Sequence, residues 1–330
     1  MFTSIINRLK YITVLKNIIQ YNQKVLLVFS LLFTFFIPFE GIGQQDPVFS
    51  QYMNNLLTIQ PAYAGLTGYT NVTALSRIQW VGFDGAPTTN TLTIQGPFRR
   101  YNVGFGLSLI NDKFGPVRQN GVYVDYAYRI LLDNSQYLSF GIKGGVNKYE
   151  ALLTELPAHD PNDPVAVQDI NQSYLPNFGF GFLWHSDVFF LGFSVPKFFK
   201  NKITSQSGIS LYEEEVNYYA MGGIVFPITD ALKFKPTFLY RWSETTPKIV
   251  DFTANFLFFD KIWVGGTYRL KNSYGLLFQA FVSQYLKLGY AYDLTTFRPT
   301  QVNAGTHEFM LSYDFPYKKR RRCCLTPRYF

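Results

Sequence analysis

From Thr70 onward the chain alternates apolar and polar residues for about ten positions at a time, then breaks at Gly, Pro, Asn or Asp. Alternation with period two marks a strand with one apolar face, and its regular interruption marks turns. The segment 248–258 places Val250, Phe252, Ala254, Phe256 and Phe258 on one face and Asp251, Thr253 and Asn255 on the other. In 232–243, Leu232, Phe234, Phe238, Tyr240 and Trp242 oppose Lys233, Lys235, Thr237 and Arg241. Such segments fall at 70–83, 88–97, 101–112, 118–132, 136–150, 173–186, 188–195, 216–228, 231–243, 247–259, 261–270, 274–282, 285–293 and 306–315. The pattern predicts an all-β fold, a transmembrane outer-membrane β-barrel of about 14 antiparallel strands, an even number as single-chain bacterial barrels require. Charged side chains cannot face lipid, so the polar face lines the lumen, and an arginine in place of Thr253 is expected to be tolerated.

Predicted turns are short at Asp187, Asp260 and Gln284 and long over 152–172, 196–215 and 294–305. The asymmetry fits short periplasmic turns and longer extracellular loops, with both termini periplasmic for an even count. Trp80, Tyr101, Trp184, Tyr218, Trp242, Trp263 and Tyr285 fall at strand ends and read as interfacial girdles.

Composition agrees with a barrel. Aromatic residues make up 18% of the chain and charged residues 16%, whereas soluble chains carry roughly a quarter charged residues. Mean hydropathy is only -0.01, so helical membrane spans are not the source of this skew. The net charge of +8 is concentrated at the ends: Arg8, Lys10, Lys16 and Lys24 near the start, and Lys318, Lys319, Arg320, Arg321, Arg322 and Arg328 in the tail. Without these and Glu40, 20 basic and 21 acidic side chains remain, which leaves no broad basic face and excludes a nucleic-acid partner. The basic tail, 316–330, is read as a solubilising appendage, with contact to an anionic periplasmic partner or to inner phosphate groups as the alternative. Cys323 and Cys324 are adjacent and do not suit a structural disulfide.

Residues 25–37, VLLVFSLLFTFFI, match the apolar core of a signal peptide and fall short of a membrane span of about 20 residues. Gly41-Ile42-Gly43 offers a small-x-small cleavage site, so 1–43 is expected to be a signal peptide that leaves Gln44 as the mature amino terminus, the alternative being an uncleaved anchor.

Between leader and barrel, residues 44–69 break the pattern. Pro47, Pro61, Gly65 and Asn54-Asn55 interrupt any strand, yet Phe49, Tyr52, Met53, Leu56, Leu57 and Tyr63 carry too much apolar surface for a free linker. Something must cover it: the barrel for the Pro61–Gly65 half, and either the barrel or a partner for Asp46–Met53. The segment is expected on or in the periplasmic side of the barrel.

Asp46, Pro47, Phe49, Ser50, Gln51, Tyr52, Met53, Asn55, Pro61, Ala62, Tyr63, Ala64 and Gly65 resemble the amino-terminal signature of the PorP/SprF family, outer-membrane proteins of the type IX secretion system of Bacteroidetes. Arg77, Gln79 and Trp80 with Gly85, Ala86 and Pro87 resemble its first hairpin. Pro176, Asn177, Phe178, Gly179 and Gly181 resemble its middle strand, and Gly305, His307, Glu308, Leu311 and Tyr313 its closing strand. The signature residues, with Arg77, Gln79 and Trp80, are the candidate partner contacts. The resemblance covers the mature chain to Phe315; the tail departs from it.

No catalytic constellation stands out. His307 and Glu308 are neighbours on a strand and so point to opposite faces, and His185 beside Trp184 reads as interfacial. No nucleophile elbow, phosphate loop or metal-ligand spacing is present, so no catalytic residue, cofactor or metal site is assigned. Asp160, Asn162, Asp163, Asp169 and Asn171 offer oxygen ligands, but without the glycine and terminal glutamate of a calcium loop they read as a solvated acidic loop. Glu213–Glu215 read the same way.

The resemblance implies a non-enzymatic barrel that assists secretion or surface attachment of large cargo such as gliding adhesins, or links periplasmic parts of the machine to the outer membrane. Its implied partners are outer-membrane lipid, other type IX components, and secreted cargo or its C-terminal domain. The alternative is an outer-membrane channel or fatty-acid-type transporter gated by an N-terminal plug.

Overall fold

A strand in lipid has no water to satisfy its backbone, so a sheet that spans a membrane must bond along both edges of every strand and close on itself. In the computed structural model of this chain the sheet closes. The structure describes residues 48–98, 102–133, 135–155, 169–204, 210–296 and 304–316. The expected signal peptide, Asp46 and Pro47, Tyr101, most of the acidic loop at 158–171 and the tail beyond residue 316 lie outside them.

Strands β1 (Thr70–Ile78), β2 (Thr88–Phe98), β3 (Val103–Phe114), β4 (Val117–Asp133), β5 (Gln136–Ala151), β6 (Ile170–His185) and β7 (Phe189–Val195) pair in sequence, each antiparallel to the last. In the following loop, β8 (Lys202–Thr204) and β9 (Ser210–Glu213) form a separate hairpin. β10 (Tyr218–Ile224) and β11 (Phe226–Thr229) are one barrel strand interrupted at Val225; both pair with β12 (Leu232–Trp242), and β10 also pairs with β7. β13 (Ile249–Phe258), β14 (Ile262–Arg269), β15 (Ser273–Phe281), β16 (Leu286–Thr295) and β17 (Thr306–Phe315) complete the circuit. β17 returns to β1 in a register running from Thr70 opposite Phe315 to Ile78 opposite His307. The result is a closed antiparallel barrel of 14 strands.

Two boundaries differ from the alternation pattern by three residues or more. The first strand ends at Ile78 rather than continuing to residue 83, because the Gln79 N–H bonds to Pro87 O while Trp80, Gly82 and Gly85 take left-handed conformations that turn the chain. The sixth strand begins at Ile170, three residues before the predicted start.

Connections separate the two rims. Those at 99–102, 134–135, 186–188, 230–231, 259–261 and 282–285 are all short and join strands at one rim, whereas the other rim joins strands through the long connections 79–87, 152–169, 196–217 and 296–305 together with shorter ones at 115–116, 243–248 and 270–272. Facing follows parity. Along β13, Phe252 and Phe256 point outward while Asp251, Thr253 and Asn255 are buried. Along β4, Val122, Val124, Tyr126 and Tyr128 face out, and Tyr123, Asp125, Ala127 and Arg129 face in.

Of the residues read as girdles, Tyr218 and Trp242 stack at the long-loop rim, with Tyr240 stacked against Trp242 as well, and Trp184 meets Phe189 edge to face at the short-turn rim. Trp263 is a correction: it faces the lumen and is buried, with Lys235 Nζ 4.4 Å above its ring, because its parity on β14 is inward. His185 is likewise buried rather than interfacial, stacked on Tyr137 and within 3.1 Å of Ser139 Oγ.

Arginine at the outward positions Phe252 or Phe256 is expected to cost about 2–4 kcal/mol near the bilayer midplane. Loss of the heat-modifiable folded species on cold electrophoresis would report it; undiminished folding of both variants would contradict the facing.

Candidate functional site

The lumen is occupied by the chain's own residues 48–66. Phe49, Tyr52, Met53, Leu56, Leu57, Ala62, Tyr63 and Ala64 form one buried cluster with inward wall residues such as Leu75, Leu183, Met221 and Leu239. Pro61 fixes its own φ and has no N–H to donate to a ladder, so the segment folds as three single 3₁₀ turns, Tyr52–Asn54, Leu56–Thr58 and Pro61–Tyr63, instead of a strand. These turns satisfy part of the backbone internally, for example Asn54 N–H to Gln51 O at 2.9 Å and Gln60 N–H to Leu56 O at 2.7 Å. Gln60 Oε1 also accepts from the Ala62 N–H at 3.3 Å, capping the third turn.

Wall side chains satisfy much of the remainder. Glu308 accepts the Ser50 N–H at 2.7 Å and the Gln51 N–H at 3.0 Å. Lys143 Nζ donates to Leu57 O at 3.0 Å and to Thr58 O at 3.3 Å, Ser194 Oγ donates to Ile59 O at 2.7 Å, and Arg129 Nη2 donates to Ala64 O at 2.7 Å. Gln95 Oε1 accepts the Gly65 N–H at 3.0 Å. From the plug side, Gln60 Nε2 donates to Phe182 O and Phe193 O at 3.0 and 3.2 Å, and Tyr52 OH lies 2.9 Å from Thr237 Oγ1. The wall is thinned where the plug's main chain touches it: a Cβ on Gly104 would collide with Ala64 O, and one on Gly141 with the Ala62 backbone.

Charge concentrates at one anchor. Arg77 Nη1 bonds to Glu308 Oε1, to Asp293 Oδ2 at 3.0 Å and to Ser50 Oγ at 3.3 Å, while Ser50 Oγ donates to Asp293. Arg269 grips Asp251 with two bonds of 2.8 and 3.0 Å, and Lys143 pairs with Asp125 at 3.2 Å. These groups are almost fully removed from solvent. A buried pair loses about 3–5 kcal/mol when one partner is removed, because the other is left as an uncompensated charge.

A cavity of about 70 Å³ lies on the long-loop side, bounded by Phe49, Ile59, Ile110, Asp112, Tyr123 and Lys143 among others. Another of about 50 Å³ lies on the short-turn side, against Met53, Tyr63, Lys235, Trp263 and Lys287. The long loops are themselves fastened. Asn177 Oδ1 accepts the Phe198 and Phe199 N–H groups, and its Nδ2 reaches Glu214 Oε2 at 3.2 Å. Glu214 is thus buried, which corrects the reading of Glu213–Glu215 as a solvated run. Lys200 meets Glu244 at 2.6 Å across two loops on the exposed surface; this bond holds the Glu244 carboxyl below its usual range and the Lys200 amine above.

Among the sequence-predicted contacts, Phe49, Ser50, Gln51, Tyr52, Met53, Asn55, Pro61, Ala62, Tyr63, Ala64 and Gly65 all lie inside the barrel, and Arg77 joins them from β1. Gln79 and Trp80 are not brought to the plug; they sit in the 79–87 loop, where the Trp80 N–H reaches Thr306 Oγ1 at 3.3 Å. Lys143, Arg129, Gln95 and Asp293 were not singled out by the sequence, although inward parity of a charged residue on a strand was an available signal. Glu308 and His307 do face opposite ways: Glu308 is fully buried and His307 Nδ1 meets Tyr290 OH at 2.8 Å. Thr253 is packed 2.5 Å from Thr237 Oγ1 and 3.5 Å from Tyr52 OH, so the expectation that it accepts arginine is reversed: the lumen there is filled. Among the described residues no cluster of His, Cys, Asp or Glu is arranged to hold a metal.

The family profile described as type IX secretion system membrane protein PorP/SprF matches residues 42–313. The chain belongs to the PorP/SprF family. The match takes in the plug and all but the last two residues of this PorP/SprF barrel. Among solved structures, the barrel is similar to the Acinetobacter baumannii outer membrane protein Omp33, with 9% identity over 76% of this chain and 100% of that one and a TM-score of 0.46. It is also similar to the CymD monoaromatic hydrocarbon channel, at 10% identity over 84% and 96% with a TM-score of 0.46, and to a Pseudomonas aeruginosa FadL homologue, at 11% over 75% and 89% with 0.40. No curated protein matches the chain.

Replacing Phe49, Tyr52 and Tyr63 together with serine is expected to destabilise the purified barrel, since burial of each large side chain contributes roughly 1.5–3 kcal/mol. Arg77→Met should cost about 3–5 kcal/mol by stranding Glu308 and Asp293. Unfolding midpoints of detergent-solubilised protein test both, and a wild-type midpoint for either variant contradicts the packing described.

Proposed function

We propose that this PorP/SprF barrel works without catalysis, as a closed outer-membrane scaffold of the type IX secretion system in Bacteroidetes. It assists secretion or surface attachment of large cargo such as gliding adhesins, or ties periplasmic parts of the machine to the membrane. The observation that carries this reading is the filled lumen, in which wall side chains meet the main chain of the signature segment; on this reading the segment stays there as part of the barrel interior. Such a body offers its rims and loops to partners, while its outer face is solvated by lipid.

In this reading residues 1–43 direct export and are removed after Gly43, the short turns face the periplasm, and Phe315 delivers the basic tail to that side. Candidate contacts for other secretion components, or for cargo and its C-terminal domain, are then Gln79 and Trp80 in a long loop and Asp46 and Pro47 ahead of the plug. The signature positions inside the barrel support the scaffold instead.

Reconstitution into planar bilayers separates this from a plug-gated channel or fatty-acid-type transporter. Wild-type protein is expected to be electrically silent, and a barrel lacking residues 44–69 to conduct. In cells, deleting the gene should leave surface cargo retained or undisplayed. Steady conductance from the intact protein together with normal cargo display in the deletion strain would sink the proposal.

A further inference from the structure

The plug has a direction, because its two ends are held at opposite rims. Ser50 bonds with Arg77, next to the last residue of β1, with Asp293 near the end of β16, and with Glu308 near the start of β17; all three lie at the long-loop rim. Phe49 borders the same cavity as Ile110 and Asp112, at the long-loop end of β3. Halfway down, Tyr52 meets Thr237 in the middle of β12, Asn55 accepts from Thr93 in the middle of β2, and Leu57 O is held by Lys143 in the middle of β5. At the far end, Ala64 O is held by Arg129 and the Gly65 N–H by Gln95, near the short-turn ends of β4 and β2. Gly65, with φ of +66°, turns the chain there, and β1 then climbs back from Thr70 to the long-loop rim.

We infer that residues 48–66 thread the barrel from the long-loop rim to the short-turn rim, so that the chain ahead of Val48 leaves on the long-loop face and the protein displays its own amino-terminal end outside the cell. The word outside rests on the orientation proposed above; the threading does not. Reach supports the assignment. With cleavage after Gly43, four residues precede Val48 and span at most about 14 Å. A return to the short-turn rim must cover the height of a ten-residue strand, about 33 Å before tilt, through a lumen the plug already fills. The expectation of two termini at the short-turn rim therefore keeps only its carboxyl-terminal half. The rim at which Ser50 is held carries the end of β1, the start of β17 and the loop at 79–87, so a partner docking on that face would meet an end displayed there.

Sidedness can be read directly. An epitope inserted between Gln45 and Asp46 is compared with one in the loop at 152–169 and one after Phe330, using an antibody on intact cells, on cells with opened outer membranes and on denatured protein. A Gln45→Cys variant in a Cys323→Ser, Cys324→Ser background, probed with a charged maleimide, gives the same readout with less perturbation. The amino-terminal label is expected to track the loop label and to oppose the carboxyl-terminal one. An amino-terminal label that tracks the carboxyl-terminal site, or that is reached only after denaturation, overturns the inference. If the loop epitope itself is hidden until the membrane is opened, the orientation has failed, and the threading is judged by whether the amino-terminal label still shares the loop's side.

Discussion

The whole arrangement depends on giving hydrogen-bond partners to a peptide that is neither strand nor long helix in a place without bulk water. Orphaned backbone groups cost on the order of 1–3 kcal/mol each when buried, enough for a handful of them to outweigh the stability of an ordinary domain. The anchor at Arg77 shows how this is met. Glu308 places a different oxygen on each of two consecutive N–H groups, and Arg77 compensates the buried carboxylate that does so. Asp293 binds the same guanidinium and takes the Ser50 hydroxyl, while Arg269 adds a second nearby positive charge. Neither arginine nor carboxylate alone would be stable there; together they turn a desolvated rim into a binding site for main chain.

The wall is shaped as well as charged. Glycines at 104, 141 and 181 let plug atoms approach to distances that any side chain would forbid. Glycine weakens a strand, and here that cost is offset by contacts that only a bare backbone permits. Steric fit and hydrogen bonding therefore select the same path through the lumen. Directional charge pairs at the rim fix its register, and apolar burial between Tyr52 and Tyr63 adds to its cohesion.

Much of this architecture was legible in the sequence, for a physical reason. A barrel wall has one face in lipid and one away from it, so period-two alternation survives in nearly every strand, and Phe252 beside Thr253 announces its own facing. The plug was legible as an anomaly, since Tyr52, Leu57 and Tyr63 needed cover and Pro61 ruled out a strand. What could not be read were the pairings. Lys143 and Leu57 O, Arg129 and Ala64 O, and Glu308 and Ser50 are joined only by closure of the barrel, and nothing local to either partner encodes the other. Trp263 failed for a related reason: aromatic identity at a strand end suggested the membrane interface, but parity pointed it at Lys235.

The bond between Ser50 and Glu308 joins residues 258 positions apart. Its seat is built from β1, β16 and β17, so the anchor of the plug is complete only when the last strand joins the first. Contacts of such long range form late and slowly, since loop-closure entropy is paid before they reward it. Until β17 arrives, the aromatic residues from Phe49 to Tyr63 have no complete shelter and are open to aggregation. Once β17 seals against β1, a segment left outside would have to enter through a rim crowded with loops. Assembly of this barrel is therefore a wrapping process, in which the sheet closes around a thread already laid in place.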